Sequence, residues 1–186
     1  MTRLAIAINL DRCVGCHTCA LSCKMQNNVP EGMLWNRVLT EDCDVVDGAL
    51  GTYPNVTRTF LPVACQHCQN AEIDYDKCIG CRMCMAACPY NARNFNWQTP
   101  VRVTGANYGD AEVPVRPKGV AEKCTLCRER TDRGEEPMCV VCCPAHARIF
   151  GDLDDPDSEI SQTILNRKAW TLLENQGTRP SVHYFE

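Results

Sequence analysis

The cysteines constrain this chain more than any other feature, because they come in tight bunches separated by long gaps. The first bunch is Cys13-Val-Gly-Cys16-His-Thr-Cys19-Ala-Leu-Ser-Cys23. A later one, Cys78-Ile-Gly-Cys81-Arg-Met-Cys84-Met-Ala-Ala-Cys88-Pro89, repeats its spacing and its glycine, the mark of an internal duplication. Between them lies Cys65-Gln-His-Cys68, and after them come Cys124-Thr-Leu-Cys127 and Cys139-Val-Val-Cys142-Cys143-Pro144. With Cys43 this makes 16 cysteines in 186 residues, far above ordinary usage. A chain of this length buries only a modest core, so the cysteines are the first candidates for what holds it together.

The opening residues, Met1 to Arg12, hold a short apolar stretch before charge returns and are not expected to act as a secretory signal. A disulfide scaffold is then the weaker reading of the cysteines and metal ligation the stronger. No run approaches the roughly 18 apolar residues of a membrane-spanning helix, so no direct span is expected. A formal net charge of -4 argues against a nucleic-acid partner, which calls for a basic surface. Basic residues recur beside the cysteines (Lys24, Lys77, Arg82, Lys123, Arg128 and Arg130). There they would either offset anionic clusters or serve as ordinary surface charge.

A cubane 4Fe-4S cluster needs thiolates from several directions at close range. Cys-x2-Cys-x2-Cys wraps three corners, and the fourth ligand comes from elsewhere. In the bacterial ferredoxin pattern, Cys-x2-Cys-x2-Cys-x3-Cys-Pro, the last cysteine reaches the other cluster of a pair. Cys78 to Pro89 fits completely, and Cys13 to Cys23 fits except that Lys24 replaces the proline. Zinc competes, since two Cys-x2-Cys knuckles build one tetrahedral site and Cys124, Cys127, Cys139 and Cys143 match that count. The tight triples of the first and third bunches suit cubanes better. Ligand thiols must be deprotonated, so clusters and fold should form together and the apo chain should be largely unfolded.

Around the bunches the chain reads as loop-rich. A short strand is expected at Leu4 to Ile8, and helical turns at Thr18 to Asn27 and Met83 to Ala87, with Pro89 and Pro144 where a helix stops. Residues 43–62 and 105–119, rich in glycine and proline, read as surface connections. Asp155-Pro156 reads as the N-cap and first residue of a helix from Pro156 to Arg167, and Val182 to Phe185 as a closing strand. Trp35, Trp97 and Trp170 read as core or interface aromatics. His17 and His67, inside ligand loops, read as plain loop residues, with a tuning hydrogen bond as the alternative. There is no Gly-rich dinucleotide loop, no Gly-x-Ser-x-Gly and no paired carboxylate motif, so no catalytic residue is assigned.

Taken in order, the bunches resemble the four-cluster iron-sulfur subunit of the DMSO reductase family of molybdenum or tungsten enzymes, the type that serves polysulfide, tetrathionate, arsenate and DMSO reductases. The likeness covers nearly the whole chain. It rests on Asp11-Arg12-Cys13-Val14-Gly15-Cys16, on the stretch from Asp76 through Tyr90, on Lys123-Cys124-Thr125-Leu126-Cys127 and on Phe150-Gly151-Asp152-Leu153-Asp154-Asp155-Pro156. It implies an α+β fold of tandem, nested bacterial-ferredoxin-like domains, organised around iron-sulfur clusters. Residues 1–60 with 117–150 would form one ferredoxin-like pair, residues 61–116 a nested unit, and residues 151–186 a C-terminal helix and tail.

Carried over from the family, Cys13, Cys16, Cys19 and Cys143 would hold one cluster, and Cys124, Cys127, Cys139 and Cys23 its mate. Cys78, Cys81 and Cys84 would hold three corners of a third, and Cys65, Cys68 and Cys88 would serve a fourth. The family's second bunch continues with two more cysteines and a proline, where this chain has Gln69-Asn70-Ala71-Glu72-Ile73. A segment is thus absent between Ala71 and Glu72, which removes one ligand from each cluster of that pair. Either the sequence lacks a stretch or those clusters are lost or altered. Cys43 and Cys142 are surplus to the scheme and read as small buried residues rather than replacements.

The resemblance implies an electron relay between a molybdopterin catalytic subunit and a quinone-linked membrane anchor. The chain itself would be non-catalytic and peripheral to the cytoplasmic membrane, on a face the sequence leaves open. A free-standing ferredoxin-type shuttle is the alternative, disfavoured by the length and the long connections. A zinc-stabilised interaction module is a third reading, which colour separates, since zinc-thiolate proteins are colourless and iron-sulfur proteins brown.

Overall fold

The run Leu4-Ala-Ile-Ala-Ile-Asn lacks polar alternation, the pattern of a strand covered on both faces. In the computed structural model, which describes residues 3–40, 50–68, 73–101 and 109–186, it forms β1 (Leu4–Asn9), the central strand of a three-stranded sheet. There follow α1 (Thr18–Gln26), β2 (Asn36–Thr40), β3 (Leu50–Thr52), β4 (Asn55–Thr57), β5 (Phe60–Ala64), α2 (Met83–Ala87), β6 (Asn94–Phe95) and β7 (Ala121–Glu122). Then come α3 (Arg128–Thr131), α4 (Met138–Val141), β8 (Arg148–Asp152), α5 (Glu159–Arg167), a 3₁₀ turn at Glu174–Gln176 and β9 (Val182–Phe185).

β1 pairs antiparallel with β8, placing Ile8 opposite Arg148, and parallel with β9, placing Ile6 opposite Val182. Alternation along the strand splits its side chains between two cores. Ile6 and Ile8 pack with Cys19, Leu126, Cys139, Val140 and Tyr184, while Ala5 and Ala7 meet Ile160 of α5 and Phe185. The small residues on the second face let the helix approach closely. A Cβ at Gly151 would come within 2.9 Å of Ile160 Cγ2. Burying each large aliphatic side chain contributes roughly 1.5–3 kcal/mol. The other sheets are two-stranded ribbons: β2 with β5, β3 with β4 and β6 with β7, all antiparallel.

The strand at Leu4, the helical turns at Thr18 and Met83 and the strand at Val182 fall where the sequence places them. Three expectations are corrected. Residues 50–62 are not merely a surface connection, because they hold the β3–β4 hairpin and most of β5, whose Pro62 and Val63 are buried against β2. Residues 109–119 carry no strand or helix, yet they bury Val113 and Arg116, so part of this connection is core. α5 starts three residues later than Pro156, with Ser158 as its N-cap accepting from the Ser161 N–H at 3.3 Å. Asp155 instead accepts from the Asp157 N–H at 2.9 Å, a local turn that competes with helix initiation. Of the tryptophans, Trp35 is core, Trp170 stacks on Tyr184, and Trp97 is 59% exposed with Arg82 over its ring.

Candidate iron-sulfur centres

The two Cys-x2-Cys-x2-Cys loops turn in the same way. Gly15 and Gly80 both take left-handed φ, 66° and 69°, and two residues later His17 and Arg82 do so again, at 58° and 62°. His17 and Arg82 are the N-caps of α1 and α2, so Cys19 and Cys84 fall in the first turn of a helix. On α1, Cys23 lies four residues after Cys19 and on the same face. Each glycine also lies close under a neighbour. A Cβ at Gly15 would collide with the Phe60 ring, and one at Gly80 with the Gly119 carbonyl. The duplication in sequence is thus a duplication in backbone.

Cys13, Cys16 and Cys19 from the first loop join Cys143 around a small cavity walled by Ile8, Val38 and Pro62. The Ala147 N–H donates to Cys143 Sγ at 3.3 Å, and Arg148 Nη2 to Cys19 Sγ at 3.4 Å. Burial pushes the Cys13 and Cys19 thiols up, and Arg148 pulls both the other way. Cys16 is held below its ordinary value by hydrogen bonds from the Thr18 hydroxyl and N–H.

A second small cavity is lined by the four thiols of Cys23, Cys124, Cys127 and Cys139, and by Cys65 as well. The Leu126 N–H donates to Cys124 Sγ at 3.4 Å, and Asn27 Nδ2 reaches Cys23 Sγ at 3.7 Å and Cys127 Sγ at 3.6 Å. Burial raises all four thiols. Cys139 is pushed up to about 11, and Cys23 and Cys124 are raised by desolvation first and then by the neighbouring thiols. Thiols so placed become thiolates only with positive charge beside them, which a bound metal centre supplies. His67 Nε2 is buried without a hydrogen-bond partner, and His67 lines this same cavity. Thr125 Oγ1, inside the Cys124–Cys127 loop, is likewise unpartnered.

Among the described residues no three Cys, His, Asp or Glu side chains meet closely enough to hold a single metal ion. The thiols instead line two cavities, with N–H groups aimed at the sulfurs and no Asp or Glu in either lining. Such a donor set fits a 4Fe-4S cluster, whose potential is tuned by hydrogen bonds to sulfur and by burial.

Of the remaining cysteines only Cys65, which is buried, lines either cavity. Cys65, Cys68 and Cys88 gather with Tyr90 and Ala92 in a cluster that also touches Cys124. Burial raises the Cys68 thiol, and Cys65 and Cys88 add to it. Cys78 and Cys84 are half-buried and Cys81 is exposed, and none of the three borders either cavity. Cys142 Sγ lies 2.7 Å from Ser22 Oγ and also borders neither. Cys43 and residues 69–72, which flank the absent segment, lie outside the described residues.

Several basic residues singled out in the sequence serve other purposes. Lys24 Nζ donates to the Pro30 and Met33 carbonyls at 2.6 and 2.9 Å, Lys77 pairs with Asp74, and Arg130 with Glu135. Lys123 Nζ donates to the Cys124 carbonyl, and Arg82 lies over Phe95 and Trp97. Arg148, whose guanidinium meets a candidate ligand sulfur, and Asn27, whose amide meets two, carry no motif that marks them.

Family models for ferredoxin-type domains match at two places: a 4Fe-4S binding domain over residues 71–94 and a 4Fe-4S dicluster domain over residues 111–153. Among relatives, a Halobacterium salinarum protein provisionally named as the iron-sulfur subunit of a dimethyl sulfoxide reductase is 49% identical, covering 99% of this chain and 79% of its own. The arsenate respiratory reductase iron-sulfur subunit of Shewanella sp. is 36% identical over 98% of this chain and 95% of its own. The menaquinone reductase iron-sulfur cluster-binding subunit of Nitratidesulfovibrio vulgaris is 33% identical over 96% and 87%. The first of these alignments runs over 209 positions against a chain of 186 residues, so that relative carries internal residues this chain lacks. Bunched thiols around two cavities, ferredoxin-type matches and relatives spanning the chain agree: it belongs to the family of 4Fe-4S electron-transfer subunits of molybdopterin oxidoreductase complexes.

Proposed function

We propose that this chain relays single electrons between a molybdopterin-containing catalytic subunit and a quinone-linked membrane anchor, and catalyses no reaction of its own. The observation that carries this reading is the gathering of two sets of four cysteines at two adjoining cavities, Cys13, Cys16, Cys19 and Cys143 around one and Cys23, Cys124, Cys127 and Cys139 around the other, where Cys65 also stands. Each set is assigned one 4Fe-4S cluster, which when bound supplies one-electron redox chemistry. The chain's own groups keep water out with Ile8, Val38 and Leu126, and aim the N–H groups of Ala147, Leu126 and Asn27 at sulfur.

A second pair is assigned to Cys78, Cys81 and Cys84 and to Cys65, Cys68 and Cys88. The contact between Cys65 and Cys124 supports an electron path between the pairs. Residues 1–60 with 117–150 form one ferredoxin-like unit in this reading, residues 61–116 a nested one, and residues 151–186 the closing helix and tail. Among the described residues no helix is long and apolar enough to cross a membrane. The menaquinone reductase relative supports attachment at the cytoplasmic membrane through partners.

The test is iron and acid-labile sulfide per chain on anaerobically purified protein, with zinc and an intact mass. About sixteen irons mean four cubanes, and about eight mean that only the first pair is filled. Zinc without sulfide overturns the reading.

A further inference from the structure

Arg148 opens β8 opposite Ile8 of β1, and these two residues border both cavities, so they form the partition between the two candidate centres. The guanidinium is buried, and its Nη2 donates to Cys19 Sγ at 3.4 Å and to Asn36 Oδ1 at 3.2 Å. Among the described residues it has no ion pair with a carboxylate. Both cavities that it borders are lined by thiols and by no Asp or Glu. Cys19 and Cys143 belong to the first cavity and Cys139 to the second. Among the described residues the other buried guanidinium, Arg116, pairs with Glu122 at 3.1 Å. A buried cation without a carboxylate is costly unless negative charge is supplied some other way, and here sulfur is what surrounds it.

We propose that Arg148 is a positioning residue shared by both centres, whose charge raises the two reduction potentials together and whose hydrogen bond fixes the Cys19 thiolate. This rests on the iron-sulfur reading of the two cavities. Uptake of one electron at either site, from the reductant of the complex, adds one negative charge, with no bond made or broken and no proton moved. A buried cation within reach stabilises that state over the oxidised one, and the effect is strong because Ile8 and the other apolar walls keep water out.

The experiment compares the full chain, purified anaerobically, as wild type, Arg148→Lys, Arg148→Gln and Asn36→Asp. Iron and sulfide per chain are measured first, then reduction potentials by titration monitored by electron paramagnetic resonance. Arg148→Gln is expected to lower two of the potentials by at least tenfold in the reduction equilibrium, about 59 mV for one electron, and to leave any other centres within about twofold. Arg148→Lys keeps the charge and is expected to restore most of the shift. Asn36→Asp sets a carboxylate against Arg148, at the cost of the Asn36 Nδ2 donor to the Cys19 carbonyl, and is expected to lower the same two potentials with every cysteine in place. Full iron in Arg148→Gln with potentials within about twofold of wild type overturns the proposal while leaving the iron-sulfur reading intact. If Arg148→Gln fails to load, Asn36→Asp decides, and unchanged potentials there overturn it equally. A wild type without iron and sulfide overturns the underlying reading instead.

Discussion

Arg116 Nε and Glu122 Oε2 stand 3.1 Å apart with side chains only 1% and 0% exposed, an ion pair sealed inside the protein. Glu122 also accepts from Trp35 Nε1 at 3.1 Å, and Arg116 Nη2 donates to the Asn27 and Asn28 carbonyls at 2.6 and 2.8 Å. The pair therefore holds the end of α1, where Asn27 reaches the sulfurs of the second cavity. Glu122→Ala leaves a buried guanidinium uncompensated and should cost about 3–5 kcal/mol. Denaturant unfolding of the holo protein measures it, and a loss below about 1 kcal/mol would show the pair to be dispensable.

The two ligand-loop glycines should respond differently to rescue. Alanine at either takes on the left-handed backbone penalty, roughly 1–2 kcal/mol. At Gly15 the obstacle is the Phe60 ring, at Gly80 the Gly119 carbonyl. Trimming Phe60 to leucine should recover part of the Gly15→Ala defect in thermal midpoint and iron content, whereas no single side-chain change should rescue Gly80→Ala. Equal behaviour of the two would contradict this account.

Adjacent Cys142 and Cys143 offer a sharp comparison. Cys143 borders the first cavity and receives the Ala147 N–H, while Cys142 rests against Ser22. Cys143→Ser should lose one to four irons per chain, about one cubane at most, and Cys142→Ser essentially none. Iron analysis with cluster spectroscopy reads the difference, and iron loss in Cys142→Ser would move the ligand assignment by one residue.

His183 in β9 is held below its ordinary range by burial, with Arg3 adding to it, so it stays neutral in the folded chain. The unfolded chain takes up a proton as pH falls below about 6.5, so the folded state loses stability on the acid side and keeps it above. His183→Gln removes this contribution. The stability difference between wild type and variant should therefore be constant above about pH 7.5 and shift against wild type towards about pH 5.5. A difference that does not change with pH would mean that the imidazole is solvated in both states.

The two ligand loops could be read from spacing, because such a loop is a local object: Gly15 and Gly80 take the left-handed turn, and the following residues start a helix at once, whereas the sharing of cysteines between loops came from the family resemblance. The strand at Leu4 was legible for a similar reason, since an unbroken apolar run suits a strand covered on both faces. What stayed hidden depends on register between distant segments. Arg148 lies near Cys143 in sequence, but its position between two cavities follows from the pairing of Ile8 with Arg148. Arg116 looked like part of a polar connection, and only the arrival of Glu122 and Trp35 makes it core. The start of α5 was misplaced because Asp155 and Ser158 are both good caps, and tertiary contact decides: Ser158 Oγ also donates to the Asp152 carbonyl at 2.7 Å.

The parallel pairing of β1 with β9 bears on when the protein can be filled. Residues 182–185 leave the ribosome long after Leu4–Asn9, and until they do one edge of β1 is open and Val182, part of the wall of the second cavity, is missing. The thiols of the first loop emerge early, well over a hundred residues before Cys143 and Arg148 can reach them. The wall of the second cavity is therefore complete only in a chain synthesised through that last strand.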